Sequence, residues 1–110
     1  MSQTSTLPKS HKEREWLFGK AIQTRIPKGG HARFESYSDE CLELASLEAD
    51  QPRNGWGTAA MNIITQTADE FKINLMVIPA GINKAASESL ENFYRRFGFE
   101  GEDALHRSHQ

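Results

Sequence analysis

The sequence predicts one small α/β domain in which an antiparallel β-meander precedes a helix, a strand and a second helix. Two observations predict it: apolar and polar residues alternate in the first half of the chain, and apolar residues recur at helical spacing after residue 57. A chain of 110 residues has room for one sheet with one or two covering helices. We therefore expect a single domain over residues 13–110, preceded by a polar tail over residues 1–12 that we expect to be disordered.

The first half of the domain reads as three antiparallel strands. Residues 15–26 combine aromatic and β-branched side chains with an internal glycine, which predicts a strand with a bulge or bend. A Pro-Lys-Gly-Gly turn over residues 27–30 leads into the alternating segment His31–Ser38. After a second break, Cys41–Ala49 alternates again, so a third strand completes the meander.

The second half changes to helical spacing. A helix is expected from about Gly57 to Phe71, followed by the apolar run Leu75–Ile78, which predicts a strand covered on both faces near the sheet centre. A last helix ends near Gly98, whose lack of a Cβ suits a left-handed cap. The apolar stripe of that helix consists of Ala86, Leu90, Phe93 and Phe97. The expected order is β-β-β-α-β-α and a short final strand.

The composition excludes several classes of function. Thirteen basic residues are interspersed with fifteen acidic ones for a net charge of -2, which argues against nucleic acid as a main partner. The most apolar stretch, residues 73–80, contains Asn74 and Pro79 and is far shorter than the ~20 residues that span a bilayer. The N-terminus lacks the apolar run of a secretory signal, and the lone Cys41 has no Cys/His cluster around it that would suit a metal. We expect a cytoplasmic protein with no membrane partner and no metal.

The segment RNGWGTAA, residues 53–60, is the best candidate for chemistry. Gly55 and Gly57 bracket one residue between a strand end and a helix start, where backbone N–H groups can turn toward one point. The partial positive charge of a helix N-terminus then favours an anion such as a pyrophosphate, to which Arg53 could add a counter-charge. A tight turn that needs glycine for geometry alone explains the loop equally well. Trp56 either caps a ligand or covers the helix start.

A second motif lies at the end of the last expected helix, where residues 94–99 read Tyr-Arg-Arg-Phe-Gly-Phe. The glycine loop precedes it, with a helix and a strand between the two, and Pro52 stands three residues before Gly55. Together the motifs resemble the GNAT superfamily of acetyl-CoA-dependent acyltransferases, in which a bulged strand precedes (Gln/Arg)-x-x-Gly-x-(Gly/Ala) and the last helix ends Tyr-x-x-x-Gly-Phe. The resemblance covers residues 41–99 and implies a GNAT-like mixed central sheet.

The resemblance also implies where acetyl-CoA would bind. Its thioester would lie between the strands at residues 42–47 and 75–78, and Tyr94 would protonate the leaving thiolate as general acid. An amphipathic core residue is the structural alternative for Tyr94. The residues implied to hold the pyrophosphate are Arg53 and the backbone amides of Asn54, Gly55, Trp56, Gly57 and Thr58. Those implied to pair with the pantetheine arm are the bulged strand end at Leu47, Glu48 and Ala49.

The resemblance also implies a general base on the strand before the glycine loop. Glu43 is the candidate that would take a proton from an incoming amine, and an ordinary solvent-facing glutamate is the alternative. Glu48 is the second choice. Cys41 could carry an acyl group, but it lacks an identifiable His partner, and the role of a small buried hydrophobe fits it better.

The chain departs from the family where the acceptor would bind. About 40 residues precede Cys41, in place of the two helices that usually close over the acceptor, and they read as a tail and two strands. The acceptor site would be open or completed by a second subunit of a homodimer. Two functions follow: transfer of an acetyl group from acetyl-CoA to an amine of unidentified class by direct attack in a ternary complex, or a non-catalytic CoA-binding or protein-interaction module.

Overall fold

A four-stranded mixed sheet forms the centre of the protein. The computed structural model describes residues 10–51, 55–80 and 83–110. Within these ranges the elements are α1 (His11–Arg25), β1 (Gly30–Ser38), β2 (Cys41–Ala49), α2 (Trp56–Phe71), β3 (Asn74–Val77), α3 (Lys84–Arg95) and β4 (Leu105–Arg107). The strand order is β1-β2-β3-β4. The predicted α/β class with a mixed central sheet is confirmed, as is the segment order from β1 onward.

The strand predicted over residues 15–26 is wrong, because α1 occupies this segment. The helix begins with an N-cap: the Ser10 hydroxyl accepts a hydrogen bond from the Glu13 amide at 3.1 Å, and the Glu13 carboxylate lies 3.5 Å from the same hydroxyl. Phe18 and Ile22, four residues apart, are buried on one face, which packs on α2. This burial offsets the cost of a glycine inside a helix, about 1 kcal/mol. The helix begins within the expected tail, whose residues 1–9 lie outside the described residues.

The antiparallel pair β1–β2 is confirmed, and it contains a bulge that orients the end of β2. Arg33 pairs with Ser46 whereas Phe34 pairs with Leu44, so Ala45 is an extra residue in β2. The bulge therefore lies before the predicted position at residues 47–49. Because of the extra residue, Leu44 and Leu47 share one face of the strand, toward the core.

β2 and β3 pair in parallel over a short distance and then part. Their register covers only Cys41 to Glu43 against Asn74 to Met76. The remainder of β2 continues beside β1, and β3 ends at Val77, so no described strand lies on the other side of β2 beyond this register. We call this open side of β2 the gap. All three residues Leu75, Met76 and Val77 are buried, which confirms that β3 is covered on both faces, although Ile78 lies beyond the strand and is exposed.

The last elements close the sheet at the opposite edge from β1. Gly98 has a φ of +95°, as expected of a left-handed residue after the helix, and α3 itself ends at Arg95. β4 pairs antiparallel with β3 and adds one short strand. Arg107 of β4 forms a bidentate ion pair with Asp69 of α2, in which its two Nη atoms lie 2.8 and 3.0 Å from the carboxylate oxygens. In the part of the chain described, no helix has the length and apolar character needed to cross a bilayer.

Candidate functional site

A groove of about 240 Å³ lies where β2 and β3 part. Three elements form its walls: the end of β2, the first turn of α2 and the second half of α3. Its lining residues are Leu47, Ala49, Trp56, Gly57, Leu90, Phe93 and Tyr94. Nearly all of this lining is apolar. The groove is thus shaped for an elongated, partly apolar ligand, with a helix N-terminus in one wall and a phenol in another.

Tyr94 is the polar side chain of the groove. Its side chain is 7% exposed and packs edge-on against the rings of Phe93 and Phe99, with centroids 5.2 and 5.8 Å away. Burial raises the pKa of the Tyr94 phenol above its ordinary value of 10.0, because the phenolate would lose its hydration. The hydroxyl therefore keeps its proton at neutral pH.

The N-terminus of α2 has the features of an anion site. The helix begins after Gly55, which adopts the left-handed conformation with φ 80° and gives no side-chain cap. No acidic side chain stands in the first turn. The first N–H groups of an α-helix lack intrahelical acceptors and carry partial positive charge, so this end favours a negatively charged group. Gly57 contributes only backbone to the wall of the groove. A Cβ at this position would lie 3.5 Å from the Phe93 ring.

Trp56 packs the start of α2 against the turn that precedes β1. Its indole Nε1 donates to the carbonyl of Pro27 at 2.8 Å, and its ring covers Gly30 so closely that a Cβ there would lie 2.7 Å away. This contact requires a glycine at position 30 and fixes the β1 turn against the start of α2. The same ring also lines the groove.

The structure brings five of the residues singled out by the sequence to one groove and leaves others elsewhere. Tyr94 meets Leu47, Ala49, Trp56 and Gly57. Thr58 follows them in the first turn of α2 and is exposed. Arg53 and Asn54 lie outside the described residues.

Neither candidate base lines the groove. Glu48 follows Leu47 on the other face of β2, where it is exposed and lies 3.0 Å from the His31 ring. Glu43 is half-buried and pairs with Met76 at the last position before the strands part. It shares a face with Met76, opposite Leu42 and Leu44.

Cys41 is half-buried. Its burial and the nearby charge of Glu15 raise the pKa of the thiol above the ordinary 9.0. A raised thiol pKa keeps sulfur protonated at neutral pH, which makes it a poor acyl carrier.

Leu90 and Phe93 are lining residues that the sequence reasoning missed. Their stripe on the last helix indicates a buried face, and both side chains are half-buried. Helical spacing shows which side of a helix is apolar, but it does not show that the strand opposite has parted from its neighbour. The aromatic pair Phe93–Phe97, at a centroid distance of 5.2 Å, supports this wall of the groove.

Comparison with known proteins bears on the fold alone. No protein-family model matches the chain, and no curated protein sequence matches it. Among solved structures, the crystal structure of the anti-CRISPR protein AcrVA5 is similar, with a TM-score of 0.60 and 18% sequence identity. The alignment covers 74% of this chain and 93% of that protein. At this identity the likeness indicates a shared architecture.

Proposed function

We propose that this protein is a small GNAT-like N-acetyltransferase that binds acetyl-CoA and transfers its acetyl group to an amine. The observation that carries the proposal is that Tyr94 and the N-terminus of α2 line one groove, at the gap between two central strands. A cofactor with a pyrophosphate, a slender arm and a reactive thioester needs these three features in this order. The Tyr-x-x-x-Gly-Phe motif at residues 94–99 agrees with it.

Each part of the groove has a task in the proposed reaction. The pyrophosphate lies at the first turn of α2, where N–H groups can donate to its oxygens. The pantetheine arm follows Leu47 and Ala49, beside which β3 no longer runs. The thioester then comes to rest near Tyr94. Apolar contacts with Leu90 and Phe93 exclude water from that end.

The transfer is a direct displacement with a balanced proton count. The amine nitrogen attacks the thioester carbonyl carbon, a C–N bond forms, and the C–S bond breaks. Tyr94 gives its phenolic proton to the departing sulfur, and the positively charged amine nitrogen loses one proton to a base. Glu43 stays the candidate for that base, because it occupies the last paired position before the gap. Bulk solvent then returns the proton to Tyr94.

A second candidate function is a CoA-binding module without catalysis. It is favoured by the composition of the groove wall: among the described residues that line it, none carries a carboxylate or an imidazole. A protein of this kind would bind CoA through α2 and the gap but would lack a group to accept the amine proton.

Calorimetry and a thiol-release assay separate the two functions. We expect CoA and acetyl-CoA to bind, and free CoA to form when a panel of polyamines, lysine peptides and N-terminal peptides is supplied. Tyr94→Phe should reduce turnover by about 10²-fold or more while leaving CoA affinity nearly unchanged. Tyr37→Phe is the matched control, since Tyr37 is an exposed tyrosine on β1.

The outcomes are distinct. Absence of CoA binding at high micromolar concentration contradicts both functions. Binding without thiol release on any acceptor supports the module, and equal turnover by Tyr94→Phe and the wild type refutes the acid role of Tyr94.

A further inference from the structure

β1 forms a long open edge of the sheet. The strand spans Gly30–Ser38 and pairs with β2 on one side, and among the described residues no strand covers its other side. The opposite edge, β4, is only Leu105–Arg107. Native proteins usually shorten, bulge or cover such edges, because their free N–H and C=O groups template pairing with another strand. The extra residue at the central bulge belongs to β2, so β1 keeps a regular alternation from Gly30 to Ser36.

The hydrogen-bond pattern identifies the groups that face outward. The amide of Asp50 donates to the carbonyl of Gly29 at 2.7 Å, so Gly29 faces β2. Backbone groups of successive strand residues point to opposite sides. The outward N–H and C=O groups therefore belong to Ala32, Phe34 and Ser36, and a second strand can bond to them without disturbing the β1–β2 ladder.

The side chains of β1 are complementary to those of a second, antiparallel copy of β1. When two β1 strands run antiparallel and are centred on Phe34, Ala32 of one copy lies opposite Ser36 of the other. Arg33 then lies opposite Glu35, and this pair occurs twice. These are the closer, non-hydrogen-bonded positions of the ladder, with Cα atoms about 4.5 Å apart. Opposite charges directly across a ladder stabilise it.

The two neighbouring centres of pairing are disfavoured by charge. A centre at Arg33 places two arginines opposite each other, and a centre at Glu35 places two glutamates opposite each other. Both side chains are more than half exposed and already form an ion pair within the chain, so two copies would build an alternating quartet of charges. The centre at Phe34 also brings together two half-buried rings, each held by Phe18 at a centroid distance of 5.0 Å.

We propose that two copies of this chain associate through antiparallel pairing of their β1 edges, centred on Phe34, and so join their sheets into one. The groove lies on the other side of β2 from this edge, and its lining includes no β1 residue. The dimer is therefore independent of the proposed function, and either one can fail without the other.

A charge swap tests the pairing on the full chain. Sedimentation velocity and native mass spectrometry, over roughly 1 to 100 μM, should show a monomer–dimer equilibrium for the wild type. Arg33→Glu and Glu35→Arg should each weaken the dimer at least about tenfold, because each places like charges opposite each other. The double variant Arg33→Glu/Glu35→Arg should dimerise again. An equimolar mixture of the two single variants should form the heterodimer, which is resolved by mass.

Amide exchange measured by NMR tests the same surface without a mutation. The outward amides of Ala32, Phe34 and Ser36 should become protected as concentration rises, whereas the inward amides of Arg33 and Glu35 should show the same protection throughout. A wild type that stays monomeric overturns the proposal. So does a dimer that neither single reversal weakens, or one whose outward β1 amides remain unprotected.

Discussion

The two central strands behave differently at their two ends. Where β2 and β3 pair, Leu42 and Leu75 are nearly or fully buried, and the nearby ion pair of Arg107 with Asp69 ties β4 to α2. Where they part, Leu47, Leu90 and Phe93 are half-buried, and they line the groove together with the buried Trp56 and Tyr94. The paired end uses its apolar surface for folding. The parted end leaves apolar surface and helix N–H groups available to a ligand, which is how so small a chain can hold both a core and a site.

The largest effect should come from the paired end. Leu75→Ala removes a fully buried side chain at the β3 centre and should lower the free energy of unfolding by about 2–5 kcal/mol. Leu90→Ala, on the groove wall, should cost less, since its side chain is only half-buried. Urea unfolding followed by circular dichroism measures both. Equal losses of unfolding free energy would show that the groove wall contributes as much to stability as the paired end of the sheet.

A smaller effect is expected from the ion pair at that end. Arg107 lowers the pKa of Asp69 below its ordinary value of 3.8, so the pair stabilises the fold above about pH 4 and this contribution is lost as the pH falls through the lowered value. Asp69→Asn should lower stability at pH 7 by about 1–3 kcal/mol. The difference between wild type and variant should shrink by about pH 2. A difference that stays constant from pH 7 to pH 2 would contradict the role of this charge.

The smallest effect on stability, and the sharpest test of the parted end, comes from two helical glycines. A Cβ at Gly19 in α1 would meet no atom within 4 Å, and one at Gly57 would make ordinary contact with Phe93. Gly19→Ala should raise stability by about 0.5–1 kcal/mol, and Gly57→Ala should not lower it. Only Gly57→Ala should weaken CoA binding, by roughly tenfold, because it thickens the groove wall. Equal CoA affinities for the two variants would show that Gly57 does not contact bound CoA.

Local sequence identifies several residues of the candidate site, but it does not show that they line one groove. Gly55 and Gly57 stand out because a strand-to-helix turn with two glycines exposes backbone donors, and Tyr94 stands out through the motif around it. The bulge at Ala45 and the short register of β2 with β3 have no local signal, since both depend on which partner each strand meets. The face of Leu47 therefore could not be assigned from alternation alone.

The N-terminal segment also shows that local preference alone does not determine an element, because it was predicted as a strand and forms α1. Its aromatic and β-branched residues favour a strand by intrinsic preference, yet Phe18 and Ile22 bury one helical face on α2 and the N-cap at Ser10 begins the helix. The Ser-x-x-Glu spacing was the available signal for this helix.

By itself, the sequence determined the hairpin β1–β2, the buried strand β3, the two later helices and the left-handed Gly98, because each depends on residue spacing or backbone freedom. Only the tertiary structure decided that the first element is a helix, that the central strands part after Glu43, and that Tyr94 is buried at that gap. The physical reason is that the burial of a residue depends on which other elements pack against it. Spacing tells which face of an element is apolar, whereas the free energy gained by that face depends on elements distant in the chain.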